Sequence, residues 1–148
     1  MTEEKGRIQV FMVDDNPDDI ELTLEAFREV KSEHGFSFDV AQDGVEAMEY
    51  LRREGNHQAR PTPDLILLDL NMPRMNGFEV LEELKQDHEL KNIPVVVLSI
   101  SQSKDDMARV SDLNANSYIV KPMNIDEYVD VVRKIEAIVM GSFFGSSG

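Results

Sequence analysis

The chain has 148 residues, which is enough for one domain with a sizeable core and too few to suggest two. Its 29 acidic and 15 basic residues give a formal net charge of −14, and no Lys/Arg-rich run occurs, so nucleic-acid binding is not expected. The chain has no signal-like N-terminus, no apolar stretch of membrane-spanning length and no Cys, so we expect a cytoplasmic protein without disulfides or membrane contact.

Short apolar runs alternate with segments of helical period along the chain. This alternation predicts five strand–helix units, joined by right-handed crossovers into a mostly parallel sheet covered on both faces. Two loops stand out, EGNHQARPTP at 54–63 and GSFFGSSG at 141–148. The predicted elements are, in chain order, RIQVFMV, PDDIELTLEAFREV, FSFDVA, GVEAMEYLRRE, DLILLDL, GFEVLEELKQ, IPVVVLSI, KDDMARVSDL, SYIVKP and IDEYVDVVRKIEAIVM.

Polar side chains end four of the five predicted strands. Asp14 and Asp15 follow the first strand, Asp69 follows the third, and Ser99 and Lys121 end the fourth and fifth. The carboxyl ends of parallel strands meet at one edge, where open α/β sheets bind ligands. Three carboxylates there would repel one another and require a cation, and oxygen ligands favour Mg²⁺. A carboxylate beside the metal and an ammonium is a candidate nucleophile that would form an aspartyl phosphate.

Four motifs together resemble the receiver domain of two-component response regulators. They are VDDN at 13–16, LLDLNMP at 67–73, VVVLS at 95–99 and YIVKP at 118–122, in the order and spacing of that family. The resemblance implies a doubly wound, flavodoxin-like, three-layer α/β fold whose five-stranded parallel sheet has the order 2-1-3-4-5. It also implies a receiver domain at 6–140 and a tail at 141–148, with no output domain.

In detail, the chain resembles the stand-alone response regulators that pair with bacterial and cyanobacterial phytochrome kinases. This resemblance rests on the EGNHQARPTPD loop and the NIPVVVLS segment. By position, the resemblance makes Asp69 the phosphoacceptor. Asp15, Asp69 and the backbone carbonyl of Asn71 would bind Mg²⁺, with Asp14 acting through water. The donor would be a sensor histidine kinase, and the regulator would assist its own phosphorylation and dephosphorylation without being an enzyme with a separate substrate.

The resemblance also assigns the residues that respond to phosphorylation. Ser99 matches the switch hydroxyl, Tyr118 the switch aromatic and Lys121 the lysine that contacts the phosphate. It further implies a cis peptide before Pro122, which would aim Lys121 into the site. Ile100 departs from the family, which usually has a small residue there, and we expect its branched side chain to narrow access to the phosphoryl group.

A different functional class also uses an aspartate nucleophile and Mg²⁺, namely the aspartyl phosphohydrolases. These enzymes typically carry a second Asp two residues after the nucleophile as a general acid, whereas this chain has Asn71, which cannot transfer a proton at neutral pH. A third reading is a receiver-shaped interaction module that is never phosphorylated. For Asp18 and Asp19, favourable interaction with the helix dipole is a sufficient explanation.

Two surfaces suggest partners. Leu22 falls opposite the apolar stripe of its helix, which is either an ordinary exposed leucine or a docking contact for the kinase. The last helix carries Val131 and Ile138 beside its core stripe, followed by Phe143 and Phe144. This pattern indicates either a wide core face with a disordered tail or a homodimer. Output would then pass through a partner protein, dimer exchange or a histidine phosphotransfer protein.

Overall fold

The structure is a computed structural model that describes residues 7–30, 35–55, 58–59 and 61–144, without the side chains of 142–144. Strands and helices alternate strictly through these residues. The strands are β1 (Ile8–Val13), β2 (Phe36–Ala41), β3 (Leu65–Leu68), β4 (Val95–Ser99) and β5 (Ser117–Val120). The helices are α1 (Pro17–Glu29), α2 (Gly44–Leu51), α3 (Gly77–Gln86), α4 (Lys104–Asp112) and α5 (Ile125–Phe144).

The five strands form one parallel sheet in the order β2-β1-β3-β4-β5. The order reverses between β1 and β3, which leaves a crevice at their carboxyl ends. This topology confirms the predicted doubly wound, flavodoxin-like fold. Within the described ranges, no helix combines the length and the apolar character needed to cross a bilayer.

Side chains on the two faces of the sheet build two separate apolar cores. In β1, Phe11 and Val13 face a core completed by α2, α3 and Val110 of α4, whereas Val10 and Met12 face a core completed by α1 and α5. Strands β3 and β4 are buried on both faces, which explains why their sequences read as continuous apolar runs instead of alternating. The result is a rigid three-layer scaffold whose strand ends are held in fixed register.

Helix α1 begins where its capping residues predict. The side-chain oxygen of Asn16 accepts hydrogen bonds from the backbone N–H groups of Asp18 and Asp19 at 2.9 and 3.2 Å, and Pro17 occupies the first helical position. These contacts satisfy N–H groups that otherwise have no partner at a helix start. The cap therefore fixes the direction in which α1 leaves the end of β1.

Helix α5 is longer than the sequence predicts. The tail was expected to leave the helix at Gly141, but the backbone remains helical through Phe144. Glycine disfavours a helix by only about 1 kcal/mol, and Gly141 has no left-handed φ that would end one. The loop predicted at 141–148 is therefore wrong for residues 141–144, which are helical, and residues 145–148 lie outside the described part of the chain.

Candidate functional site

Strands β1 and β3 bring three carboxylates together at the crevice. Asp14, Asp15 and Asp69 each contribute one carboxylate oxygen to a cluster in which the three oxygens lie within 4.8 Å of one another. The Asp69 N–H donates to the carbonyl of Val13 at 2.9 Å, which fixes the end of β3 beside the end of β1. Asp14 and Asp69 are buried and Asp15 is exposed, so the cluster has one side open to water.

Lys121 supplies the positive charge beside these carboxylates. Its Nζ lies 2.7 Å from Asp19 Oδ2, 2.9 Å from Asp14 Oδ2 and 3.5 Å from Asp69 Oδ2. The contact with Asp19 is a hydrogen bond, whereas the contact with Asp14 is an ion pair without hydrogen-bond angles. The Lys121 N–H donates to the carbonyl of Ser99 at 2.8 Å, which places the end of β5 against the end of β4.

Burial changes the protonation of this group of residues. It raises the pKa of Asp69 to about 6, with Lys121 lowering it and the negative charge of Asp14 raising it further. Burial also raises the pKa of Asp14, against the opposing effects of the Asn16 N–H and Lys121. For Lys121, burial alone would lower the pKa, but its hydrogen bond to Asp19 and the negative charges of Asp14 and Asp69 outweigh burial and hold the pKa above its ordinary value.

The donor set fits a hard divalent cation. The carboxylate oxygens of Asp14, Asp15 and Asp69 lie close together. The ammonium of Lys121 is shared among the buried Asp14 and Asp69 and the more exposed Asp19. A raised carboxylate pKa indicates negative charge that the protein itself does not fully compensate. Oxygen ligands with one open side suit a metal that keeps several waters and leaves a position for a phosphate oxygen.

Ser99 and Tyr118 meet at one residue of the loop between β4 and α4. The buried Ser99 Oγ accepts a hydrogen bond from the Ser101 N–H at 3.2 Å, and the Tyr118 hydroxyl donates to the Ser101 carbonyl at 2.8 Å. The Ser101 hydroxyl in turn donates to Asp106 of α4 at 2.6 Å. A displacement at Ser99 would therefore pass directly to this loop and to Tyr118.

Comparison with known proteins identifies the family. Residues 10–133 match the response regulator receiver domain. The chain belongs to this family. It is 38% identical over 128 residues to response regulator Rcp1 of Synechocystis sp., covering 86% of each chain.

Two solved receiver structures are similar as well. The phosphorylated cyanobacterial phytochrome response regulator RcpA is 43% identical, with a TM-score of 0.85 over 92% of this chain and 96% of RcpA. The Mn²⁺-bound form of Rcp1 is 37% identical, with a TM-score of 0.80 over 88% of this chain and 92% of Rcp1. This receiver is therefore related to phytochrome response regulators along most of its length.

One implication of the family resemblance is wrong for this receiver. No peptide bond among the described residues is cis, so Lys121 and Pro122 are joined by a trans bond. The hydrogen bond from the Lys121 N–H to β4 and the length of the lysine side chain suffice to bring Nζ to the carboxylates. Asn71, two residues after Asp69, is exposed, and Ile100, which follows Ser99, is 69% exposed.

The partner surfaces are less apolar than the sequence suggests. Leu22 was expected to face water, but it is half-buried and packs against the core between α1 and α5. Val131 is only 7% exposed and belongs to that core, so its own chain already covers it, and Ile138 packs against the same core. The reason is that α5 packs along α1 as well as on the sheet, which buries a wider face. Phe143 and Phe144 lie in α5, and their side chains are outside the described residues.

Two features of the site were missed by sequence reasoning. Asp19 was explained by the helix dipole alone, and nothing in its local sequence indicates a pairing with Lys121. Gly77, at the start of α3, packs directly on the backbone of the candidate site. A Cβ at this position would lie 2.2 Å from the Asp69 carbonyl oxygen and 2.7 Å from the Leu70 Cα. The Asn-Gly pair at 76–77 signals a helix start but not this contact.

Asp69→Asn is expected to stabilise the receiver when divalent metal is removed. Because the folded-state pKa of about 6 lies above the ordinary 3.8, the folded protein binds this proton more tightly than the unfolded chain does. The stability contributed by Asp69 is therefore present below pH 3.8 and is lost as the pH rises through about 6. Asn is neutral at every pH. The free energy of unfolding of Asp69→Asn relative to the wild type should therefore rise by about 2 kcal/mol between pH 3.8 and about pH 6, after allowance for solvent screening.

Urea unfolding in EDTA at pH 4.5 and pH 7 measures this difference. Asp112→Asn, an exposed carboxylate at the end of α4, is the control and should show no such growth. An Asp69→Asn advantage that is equal at the two pH values would contradict the prediction.

Proposed function

We propose that this receiver accepts a phosphoryl group on Asp69 from a sensor histidine kinase. The observation that carries the proposal is the placement of a buried carboxylate between a lysine ammonium and two further carboxylates. Lys121 lies 3.5 Å from Asp69, while Asp14 and Asp15 complete an acidic cluster at the open side. A nucleophile, a cation for the phosphoryl oxygens and a set of metal ligands are thus within reach of one another.

The proposed cofactor is Mg²⁺, held by Asp15, Asp69 and the backbone carbonyl of Asn71, with Asp14 contributing through water. The metal would supply charge stabilisation for the transferring phosphoryl group. The relative Rcp1 has been crystallised with Mn²⁺, a divalent ion that also takes oxygen ligands, and this supports a divalent site. Mg²⁺ is the proposal for this chain because the cluster is composed of carboxylates.

In the proposed reaction, a carboxylate oxygen of Asp69 attacks the phosphorus of a phosphohistidine. A new O–P bond forms as the P–N bond breaks, and the electron pair of the broken bond returns to the leaving imidazole. Lys121 pairs with one phosphoryl oxygen, and the Ser99 hydroxyl donates a hydrogen bond to another. Attraction of Ser99 toward the phosphoryl group would disturb Ser101, and through it the hydrogen bond that Tyr118 makes.

The relatives support a phytochrome-type kinase as the donor, since RcpA is described as a cyanobacterial phytochrome response regulator. Docking of the kinase at Leu22 stays a prediction. In the structure, Leu22 lines a shallow depression with Asp18, Glu21 and Glu25, so any contact there would be largely acidic. A homodimer through the last helix, its neighbour and the tail, a downstream histidine phosphotransfer protein and a cytoplasmic location also stay predictions.

Incubation with Mg²⁺ and a small acyl phosphate tests the function. Intact-mass measurement should show one phosphoryl group on the wild type and on Asp112→Asn, and none on Asp69→Asn, because only the last lacks the nucleophile. The adduct should be stable in acid and labile in base. Rapid multiple turnover of phosphate esters would instead support the phosphohydrolase alternative, and an unmodified wild type would support the unphosphorylated interaction module.

A further inference from the structure

We propose that Asp19 is a positioning residue that restrains Lys121 in the unphosphorylated receiver. The Lys121 ammonium donates a hydrogen bond to Asp19, and this bond must break for the ammonium to contact a phosphoryl group on Asp69. Asp19 would therefore lower the rate of phosphorylation and favour the resting state. This inference rests on the proposed phosphoacceptor role of Asp69 and adds a regulatory residue to that site.

The distances show where the ammonium is held. Lys121 Nζ lies 2.7 Å from Asp19 Oδ2, with hydrogen-bond geometry, but 3.5 Å from Asp69 Oδ2, which is too long for a strong charged hydrogen bond. Asp14, at 2.9 Å, anchors the ammonium from the buried side. The strongest contact of Lys121 is therefore directed at α1 and not at the candidate phosphoacceptor.

Helix capping does not account for this use of Asp19. Asn16 caps α1 with its own side chain, and the neighbouring Asp18 already places a negative charge in the first turn. The Asp19 carboxylate is instead turned toward a residue 102 positions away. Its backbone carbonyl accepts a hydrogen bond from the Thr23 hydroxyl at 2.7 Å, which helps to hold this turn in place.

Charge and exposure make the restraint reversible. The Asp19 side chain is 22% exposed, compared with 1% for Asp14, so water can solvate Asp19 after the ammonium leaves, whereas Asp14 depends on its protein partners. A phosphoryl group carries a charge of about −1.5 to −2, more than the single charge of Asp19, and so attracts the ammonium more strongly. The same Lys121 can thus change partners without an uncompensated buried charge.

The test compares Asp19→Asn with Asp18→Asn under saturating Mg²⁺ and a titrated acyl phosphate. Both substitutions remove one negative charge from the same helical turn, but only Asp19 touches Lys121. We expect Asp19→Asn to raise the maximal phosphorylation rate by roughly 3- to 5-fold, the upper part of the range for an exposed ion pair, and to leave the half-saturating donor concentration unchanged. Asp18→Asn should stay within about 2-fold of the wild type on the same scale.

Further variants separate positioning from a purely structural role. Asp19→Glu restores the charge and should return the rate toward that of the wild type. If Asp19→Asn does not fold, as judged by its thermal unfolding, Asp19→Ser provides a second neutral variant with the same expected gain. A rate that is equal to that of Asp18→Asn, or a slower one, would overturn the proposal.

The two proposals fail in different ways. If the wild type is not phosphorylated, or if Asp69→Asn is phosphorylated as well, the phosphoacceptor role itself is wrong. If the wild type is modified on Asp69 and Asp19→Asn reacts no faster than Asp18→Asn, only the role of Asp19 is wrong.

Discussion

Lys121→Met is expected to destabilise the receiver by about 3–5 kcal/mol in the presence of EDTA, the usual result of removing one member of a buried ion pair. The substitution retains an apolar stem of similar length but removes the ammonium. Asp14 and Asp69, each at most 7% exposed, would then lose their buried counter-ion, and the folded protein must either hold uncompensated negative charge or take up a proton, each at a cost in stability. Urea unfolding at pH 7 measures the loss, with Lys134→Met on the exposed side of α5 as the matched control.

The same variant tests the physical cause of the loss. Adding Asp14→Asn to Lys121→Met should recover part of the lost stability, because it removes one of the two uncompensated charges. Mg²⁺ should also stabilise Lys121→Met, since the cation takes over compensation of the carboxylates. A loss below about 1 kcal/mol, the ordinary value for an exposed ion pair, would show that Lys121 is not needed to compensate the cluster.

Gly77→Ala is the second large effect, and we expect it to cost about 3 kcal/mol or more, at the upper end for an overpacked site. A methyl group here meets backbone atoms of Asp69 and Leu70 at 2.2 and 2.7 Å, and backbone cannot rotate away as a flexible side chain can. Either α3 shifts, or the segment that carries Asp69 moves. Phosphorylation by acyl phosphate should therefore slow as stability falls.

Gly141→Ala provides the control because it makes the same chemical change in open space. Among the described residues, no atom outside its own stretch of helix lies within 4 Å of a Cβ added at Gly141, and the residue is helical. Gly141→Ala should therefore leave the stability unchanged or raise it by up to about 1 kcal/mol, because alanine favours a helix more than glycine does. Equal effects of the two substitutions in urea unfolding would contradict the packing argument.

The sequence by itself determined the order and type of the elements. A strand buried on both faces is apolar along nearly its whole length, so the runs that became β3 and β4 stand out from the amphipathic helices around them. Asn16 and Pro17 mark the start of α1 by local chemistry. Parallel topology then brings the polar residues after each strand to one edge, which is why the acidic cluster could be located before the structure was known.

Only the tertiary structure decided which residues contact one another at that edge of the sheet. The partner of Asp19 lies 102 residues away, and a local pattern that already explains a residue gives no sign of such a contact. The closeness of Gly77 to Asp69 depends on how α3 sits on the sheet, and the burial of Val131 depends on how α5 sits against α1. Sequence periodicity indicates which face of an element is apolar, but the distances between elements arise from packing side chains of particular volumes, which no single segment encodes.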